Sequence, residues 1–286
     1  MLNVLKQARA AFSLLSPDDI RKSAERELHI GLVADGSSAY AEMEDFLVAS
    51  STPRPEWGQR MNQVHRANGP SAPERVDIVL YEPGLPCPNG AYTFHRDHPE
   101  QTVQEILHDK PEFELALARQ FPAFRRAVVE GIIHAVSREN ALFAVATALP
   151  NVVPNLIELP WVLGEFASDT AFLTTNQVRM AFQIAAACGK EVGLSAQKGT
   201  VMAIVAGAFG WRAAARELVS HIPLGGGLIP KAAIAYAGTY VLGKGMEFLL
   251  VQERTHTHEE RERLYQDGLE QGRRFAGSLR PGESKA

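Results

Sequence analysis

Val219 to Val251 reads VSHIPLGGGLIPKAAIAYAGTYVLGKGMEFLLV, and its only full charges at neutral pH are Lys231, Lys244 and Glu247. A helix that is apolar on all sides is either buried among other helices or set against lipid. Pro223 and Pro230 bracket Gly225, Gly226 and Gly227, so the stretch reads as a helix-to-helix connection followed by a helix over 227–251. A phosphate cradle would need a Lys-Ser/Thr pair after the glycines, and Leu228-Ile229-Pro230 follows instead. The preceding helix, 195–220, contains GTVMAIVAGAFGW at 199–211, charge-free but too short to cross about 30 Å of hydrocarbon. Ala203, Gly207 and Gly210 on one helix, with Ala233, Ala237, Gly238 and Gly243 on the other, are small residues that let helix backbones approach closely. A Lys at a bilayer centre costs roughly 2.5–3.5 kcal/mol, so Lys231 and Lys244 fit a lipid setting only near its interfaces. The expectation is a hairpin that is buried or lies on a membrane surface.

Working outward, apolar periodicity predicts further helices over 99–108, 111–119, 122–149, 154–166 and 169–188. Pro150 and Pro154 divide the charge-free run 140–157 into two pieces. A last helix, 255–275, has few apolar residues and reads as solvated, with Glu259 one turn before Arg263. The N-terminal portion is different. Val4, Leu5, Ala8, Ala11 and Phe12 suit a short amphipathic helix, and Ser16-Pro17-Asp18-Asp19 starts a second one reaching about Glu27. Leu28 to Ala34 is strand-like, Asp35 to Ser38 turns, and AYAEMEDFLVA is helical; 51–75 reads as loop, Val76 to Tyr81 as a second strand, and 82–98 as loop again. These readings divide the chain into a small α/β part at 1–98, a Gly/Ala-rich helical bundle at 99–275 and a disordered tail at 276–286, an α+β, mainly α fold.

The strand-turn-helix invites comparison with a P-loop, because Gly31 to Ser38 matches G-x-x-x-x-G-K-[ST] at every fixed place except the lysine. Ser37 stands there and has neither the reach nor the charge to hold a nucleotide's outer phosphates. Any phosphate would rest on backbone N–H groups of Gly36, Ser37 and Ser38 at a helix start; the plainer reading is a glycine turn between strand and helix. IVLYEPG likewise resembles the magnesium-holding D-x-P-G of GTPases with Tyr81 in the aspartate's place, and no Asn-Lys-x-Asp element occurs in the chain. Cys87, His95, Asp97 and His98 share one loop but fit no standard zinc spacing, and His256 and His258 would face different sides of a helix. His134, Ser137 and Glu139 share a helix without the third group that a nucleophilic serine needs, and Lys190 after Gly189 is followed by Glu191. No motif predicts catalysis, a cofactor or a metal.

The 286 residues carry a net charge of −4 with Lys and Arg dispersed, which leaves no basic footprint for nucleic acid. Two isolated cysteines, Cys87 and Cys188, give no disulfide framework and suit a reducing, cytoplasmic setting. The N-terminus interleaves basic and apolar residues and lacks the pattern of a signal peptide.

FPAFRRAVVEGIIHAVSRENALFAVATALP, LTTNQVRMAFQIAAACGK and ARELVSHIPLGGGLIPKAAIAYAGTYVLGKGMEFLL resemble the helical domain of the YcjF-like bacterial family, a domain of unknown function. The likeness covers about 121–251 and rests on Asn140-Ala141, Asn176-Gln177 with Met180, Cys188-Gly189, and Pro223, Gly225 to Gly227, Thr239 and Gly243. In that family these helices often follow a Ras-like GTPase domain, and members are inner-membrane or membrane-associated. The resemblance implies that 1–98 is a shortened, degenerate GTPase-like domain. It implies a non-enzymatic, membrane-associated interaction or regulatory protein, cytoplasmic and held at the inner membrane, whose partners are a membrane surface or apolar helices of another protein. A nucleotide-binding regulator using Gly36, Ser37 and Ser38, and a soluble homo-oligomeric scaffold, are the alternatives.

Overall fold

The computed structural model describes residues 17–67, 73–148, 169–200, 228–251 and 254–279. The fold is α+β and mainly α, with one small sheet of four parallel strands. In chain order the described elements are α1 (Pro17–Ala24), β1 (Ile30–Val33), α2 (Ser37–Leu47), α3 (Arg54–Met61), β2 (Val64–Arg66), β3 (Ile78–Tyr81), β4 (Tyr92–Thr93), α4 (Pro99–Asp109), a 3₁₀ turn (Pro111–Phe113), α5 (Glu114–Gln120), α6 (Pro122–Ala148), α7 (Asp169–Ala187), α8 (Leu228–Val251) and α9 (His258–Ser278). The chain folds into two compact units. The α/β unit takes Asp18–Glu130 and Ala186–Lys190; the helical unit takes Met1–Pro17, Gly131–Ala185 and Glu191–Ala286. Helix α6 therefore passes from one into the other, as does α7.

In the α/β unit the strand order is β2-β1-β3-β4, with Ile30 opposite both Val64 and Ile78 and Leu80 opposite Tyr92. All four residues of β1 are buried, as an interior parallel strand covered on both faces requires. Ile30, Leu32, Ile78 and Leu80 share the core with Met43 and Leu47 of α2, Ile106 of α4, and Phe121 and Phe124. Gly31 sits inside β1, where a Cβ would lie 3.0 Å from Pro73 Cδ and 3.2 Å from Val76 Cγ2, so its smallness is a packing requirement.

Two expectations need correction. The stretch 51–75, read as loop, contains α3 and β2, and 82–98, read the same way, contains β4. Helix α3 buries none of its residues and β2 and β4 are three and two residues long, so none of them carries a periodic apolar signal.

The α/β unit is closed by two arginines. Arg119 Nη1 donates to the carbonyls of Ala186 (3.4 Å) and Lys190 (3.0 Å), and Arg125 Nε donates to those of Ala187 (3.1 Å) and Ala118 (3.4 Å). They add donors to carbonyls at and just past the end of α7, where Ala186 O also accepts from Gly189 N–H at 3.0 Å, and Gly189, at φ 75°, follows that helix in the left-handed conformation. Burial holds the Arg125 guanidinium below its usual range.

In the helical unit α8 and α9 form an antiparallel pair in which Gly268 faces Ala237 and Gly272 faces Ala233. A Cβ on Gly268 would come within 2.9 Å of Ala237 Cα, and one on Gly272 within 2.8 Å of Ala233 Cα. Gly268, Gly272 and Ala276 are all buried, so α9 is not the solvated helix its charged sequence suggests: every fourth residue is small and lines a seam. Its other faces carry the charges, and its start is fixed by a capping box between Thr257 and Glu260. On α8, Gly243 meets Ile133 of α6 and Met180 of α7, where a Cβ would lie 2.8 Å and 3.1 Å away from their side chains. Phe143 of α6 stacks on Phe172 of α7 with ring centroids 4.0 Å apart. No helix among the described residues is long and apolar enough to cross a membrane.

Candidate functional site

In open parallel sheets ligands bind outside the carboxyl ends of the strands where the order reverses, and here that place lies between β1 and β3. A crevice of about 510 Å³ opens there. Val33, Tyr40, Tyr81, Leu85 and Pro86 form its walls and Asp35 its rim. Its shape is set by local chemistry. Glu82-Pro83-Gly84-Leu85 is a tight turn, Leu85 N–H donating to Glu82 O at 3.2 Å, with Pro83 in the second position and Gly84 at φ 95° in the third. The turn folds Leu85 and Pro86 back beside the ends of the strands. The Pro-Gly of IVLYEPG, which resembles a magnesium-binding loop, thus has a backbone reason to exist. Tyr81, 5% exposed, closes β3 opposite Val33 and Thr93.

On the other side of the mouth, the link from β1 to α2 is just Ala34, Asp35 and Gly36. Gly31 is paired with His65 and Val79 within the sheet, so it does not open the loop as the first glycine of a P-loop does. Gly36 is the N-cap, in extended conformation with no side-chain cap, and Gly36, Ser37 and Ser38 are exposed. Asp35 N–H donates to Glu82 Oε2 at 2.9 Å. A carboxylate thus already sits beside the amides that a phosphate would use, and the Asp35 side chain adds a second negative charge. Arg66, at the end of β2, is held by Glu44 through bonds of 2.6 and 2.8 Å while its guanidinium lies 5.2 Å from the Tyr40 ring centre. The Tyr40 hydroxyl donates to Ala67 O at 3.3 Å.

Other sequence candidates are distributed more widely. His95 Nε2 lies 3.3 Å from Glu105, His98 3.4 Å from Glu100, and Cys87 is exposed. No group of three or more His, Cys, Asp or Glu among the described residues could hold a metal ion. Ser137 is fully buried with its hydroxyl unpartnered among the described residues, while His134 Nδ1 meets the Tyr236 hydroxyl at 2.7 Å. That hydroxyl donates to Gln271 Oε1 at 3.1 Å, so with its single hydrogen used the histidine is the donor. Burial pushes the Tyr236 phenol up to about 12. His134 and Gln271 also border a shallow, charged cleft of about 510 Å³ with Arg138, Asp267, Glu270 and Arg274.

Beneath this lies a polar core. Asn140 Nδ2 donates to Thr239 Oγ1 at 2.8 Å, Asn176 Nδ2 donates to Asn140 Oδ1 at 3.0 Å, and Thr239 Oγ1 donates to Ala235 O at 3.0 Å. Burial raises the carboxyl of Glu139, 3.4 Å from the Asn176 amide. These asparagines and this threonine tie α6, α7 and α8 together.

Of the small-residue positions singled out in the sequence, Gly238 is half-buried on α8 and Gly243 lies under Ile133 and Met180. Lys231 is exposed near the start of α8, whereas Lys244 is paired with Glu247 at 2.9 Å. Gly207, Gly210, Gly225, Gly226 and Gly227 lie outside the described residues. Sequence reasoning missed Tyr40, Leu85 and Pro86 as crevice walls and Tyr236 and Gln271 as partners of His134. Pro83-Gly84 was the available signal for the first group; the second had none, because it depends on which helices meet. Comparison of the chain with models of known protein families, with curated proteins and with solved structures returns no match.

Proposed function

We propose that this chain is a non-enzymatic, membrane-associated helical interaction or regulatory protein of the YcjF-like type, in which the helical unit makes the attachment. The observation that carries the reading is the end of α8, where Leu249 and Val251 are exposed on a helix whose earlier turns pack against α6, α7 and α9. Exposed large apolar side chains at the end of an apolar helix suit contact with a headgroup boundary or with an apolar helix of a partner. Lys231, exposed at the opposite end, can keep its ammonium in water while its stem lies on apolar surface. By the resemblance, the site of attachment is the cytoplasmic side of the inner membrane.

Flotation of the full chain with anionic liposomes tests this. The protein is expected in the floating fraction, and Leu249→Asp with Val251→Asp is expected to reduce that fraction. Recovery of all the wild-type protein as a soluble monomer, with and without liposomes, would refute the proposal.

A further inference from the structure

We propose that the crevice between the carboxyl ends of β1 and β3 binds a small organic cation with a flat apolar body, the class of arylalkylamines. The inference concerns the α/β unit alone and stands whether or not the chain meets a membrane. Three observations on independent features converge. The crevice lies at the reversal of strand order, and its volume of about 510 Å³ falls within the range of roughly 300–1,000 Å³ usual for ligand pockets. Its lining includes Tyr40, Tyr81, Val33, Leu85 and Pro86, residues that suit a flat apolar body. Asp35 lines it, and the Glu82 carboxylate accepts from Asp35's own N–H at 2.9 Å, so two acidic residues lie next to one another at the crevice.

The charge balance decides the sign of the ligand. The start of α2 contributes about half a positive charge, and the two carboxylates outweigh it. Arg66 does not reverse this, because Glu44 holds its guanidinium in a two-pronged pair. The crevice thus resembles a nucleotide site in position and opposes one in charge: an ammonium at the rim meets Asp35 and Glu82, whereas a phosphate meets repulsion from both.

The test compares tryptamine with indole-3-acetate, which share a ring and differ in charge, by calorimetry on the full chain at low salt. Tryptamine is expected to bind saturably, and indole-3-acetate is expected to bind at least about tenfold more weakly. Asp35→Asn and Glu82→Gln are each expected to weaken tryptamine by about threefold and together by about tenfold, since each removes one rim charge and leaves the size of the side chain unchanged. Leu85→Lys, which puts an ammonium into the crevice from a half-exposed position, is expected to abolish binding even if either rim variant perturbs the turn. No saturation by tryptamine up to about 10 mM, equal affinity for indole-3-acetate, insensitivity to all three variants, or binding of GDP with magnesium in preference to tryptamine would each overturn the proposal.

Discussion

Replacing Gly272 by alanine gives the sharpest test of how α8 and α9 meet. In an open helix position this change is favourable by about 1 kcal/mol, because alanine loses less backbone freedom than glycine on folding. At Gly272 the added methyl would lie 2.8 Å from Ala233 Cα, 2.8 Å from Tyr236 Cβ and 3.0 Å from Ala233 O. Two of those atoms are backbone and the third is fixed to it, so relief requires moving one helix away from the other. Overpacking of this kind costs about 1–3 kcal/mol. Contacts this close to an unyielding partner belong in the upper half of that range, leaving a net loss of about 1–2 kcal/mol after the gain in propensity. Gly131 is the internal control, since it lies in the same helical unit, on α6, and a Cβ there meets nothing within 4 Å. Gly131→Ala is expected to stabilise by about 1 kcal/mol, so the two variants should differ by about 2–3 kcal/mol, or roughly 4–12 °C in the melting temperature of that unit. Thermal unfolding followed by circular dichroism measures both. Because the limiting atoms are Ala233 Cα and O, Ala233→Gly in the Gly272→Ala background is expected to restore nothing. Gly272→Ala at or above the stability of Gly131→Ala, or rescue by Ala233→Gly, would show that the helices do not approach as closely as described.

Asn140→Leu removes the amide that joins Thr239 to Asn176; Thr239 keeps its bond to Ala235 O and the Asn176 amide keeps its contact with Glu139, so the expected loss is that of two buried hydrogen bonds, about 1–3 kcal/mol, measurable by urea unfolding. Tyr236→Phe is expected to cost about 1–2 kcal/mol through the lost contacts to His134 and Gln271. The Tyr236 phenol is raised to about 12 in the folded chain, so its contribution is fully present below the ordinary tyrosine value and is lost as pH rises from about 10 towards 12; ultraviolet titration of wild type against Tyr236→Phe shows whether this ring ionises last. Glu260 is held at about 2, first by the Arg254 guanidinium and then by the Thr257 N–H. A lowered carboxylate stabilises above its unfolded value of about 4.3 and ceases to as pH falls through 2, so protection of the amides at the start of α9, taken relative to the intrinsic exchange rate at each pH, is expected to fall across that window and not above it.

The helices that were legible from sequence are the ones whose apolar content is long enough to be unambiguous. Among the described residues, α6 begins at Pro122 and α7 ends at Ala187, within a residue of the positions that Pro and Gly indicate. Helix α3 was illegible because Pro53, Pro55 and Gly58 look like loop and because none of its side chains is buried to leave a periodic trace. Helix α9 was legible as a helix but not as a packed one. Hydropathy registers side chains, whereas Gly268 and Gly272 contribute to the seam by having none. The crevice was legible only as a turn, at Pro83-Gly84. Its location depends on β1 lying between β2 and β3, an order that is settled by pairings about 34 and 48 residues apart in the chain.

The arginine closure of the α/β unit has a consequence for dissecting the protein. Arg119 and Arg125 lie before Glu130, but carbonyls they serve belong to Ala186, Ala187 and Lys190. A fragment stopped at Glu130 would present two guanidiniums, one of them largely buried, to an empty place, and a fragment started at Gly131 would carry off their acceptors. No single cut separates the units. An α/β unit made on its own requires a splice, with Glu130 joined by a short linker to Ala186 and the intervening 55 residues excised, so that the segment 131–185 behaves as an insertion within its neighbour.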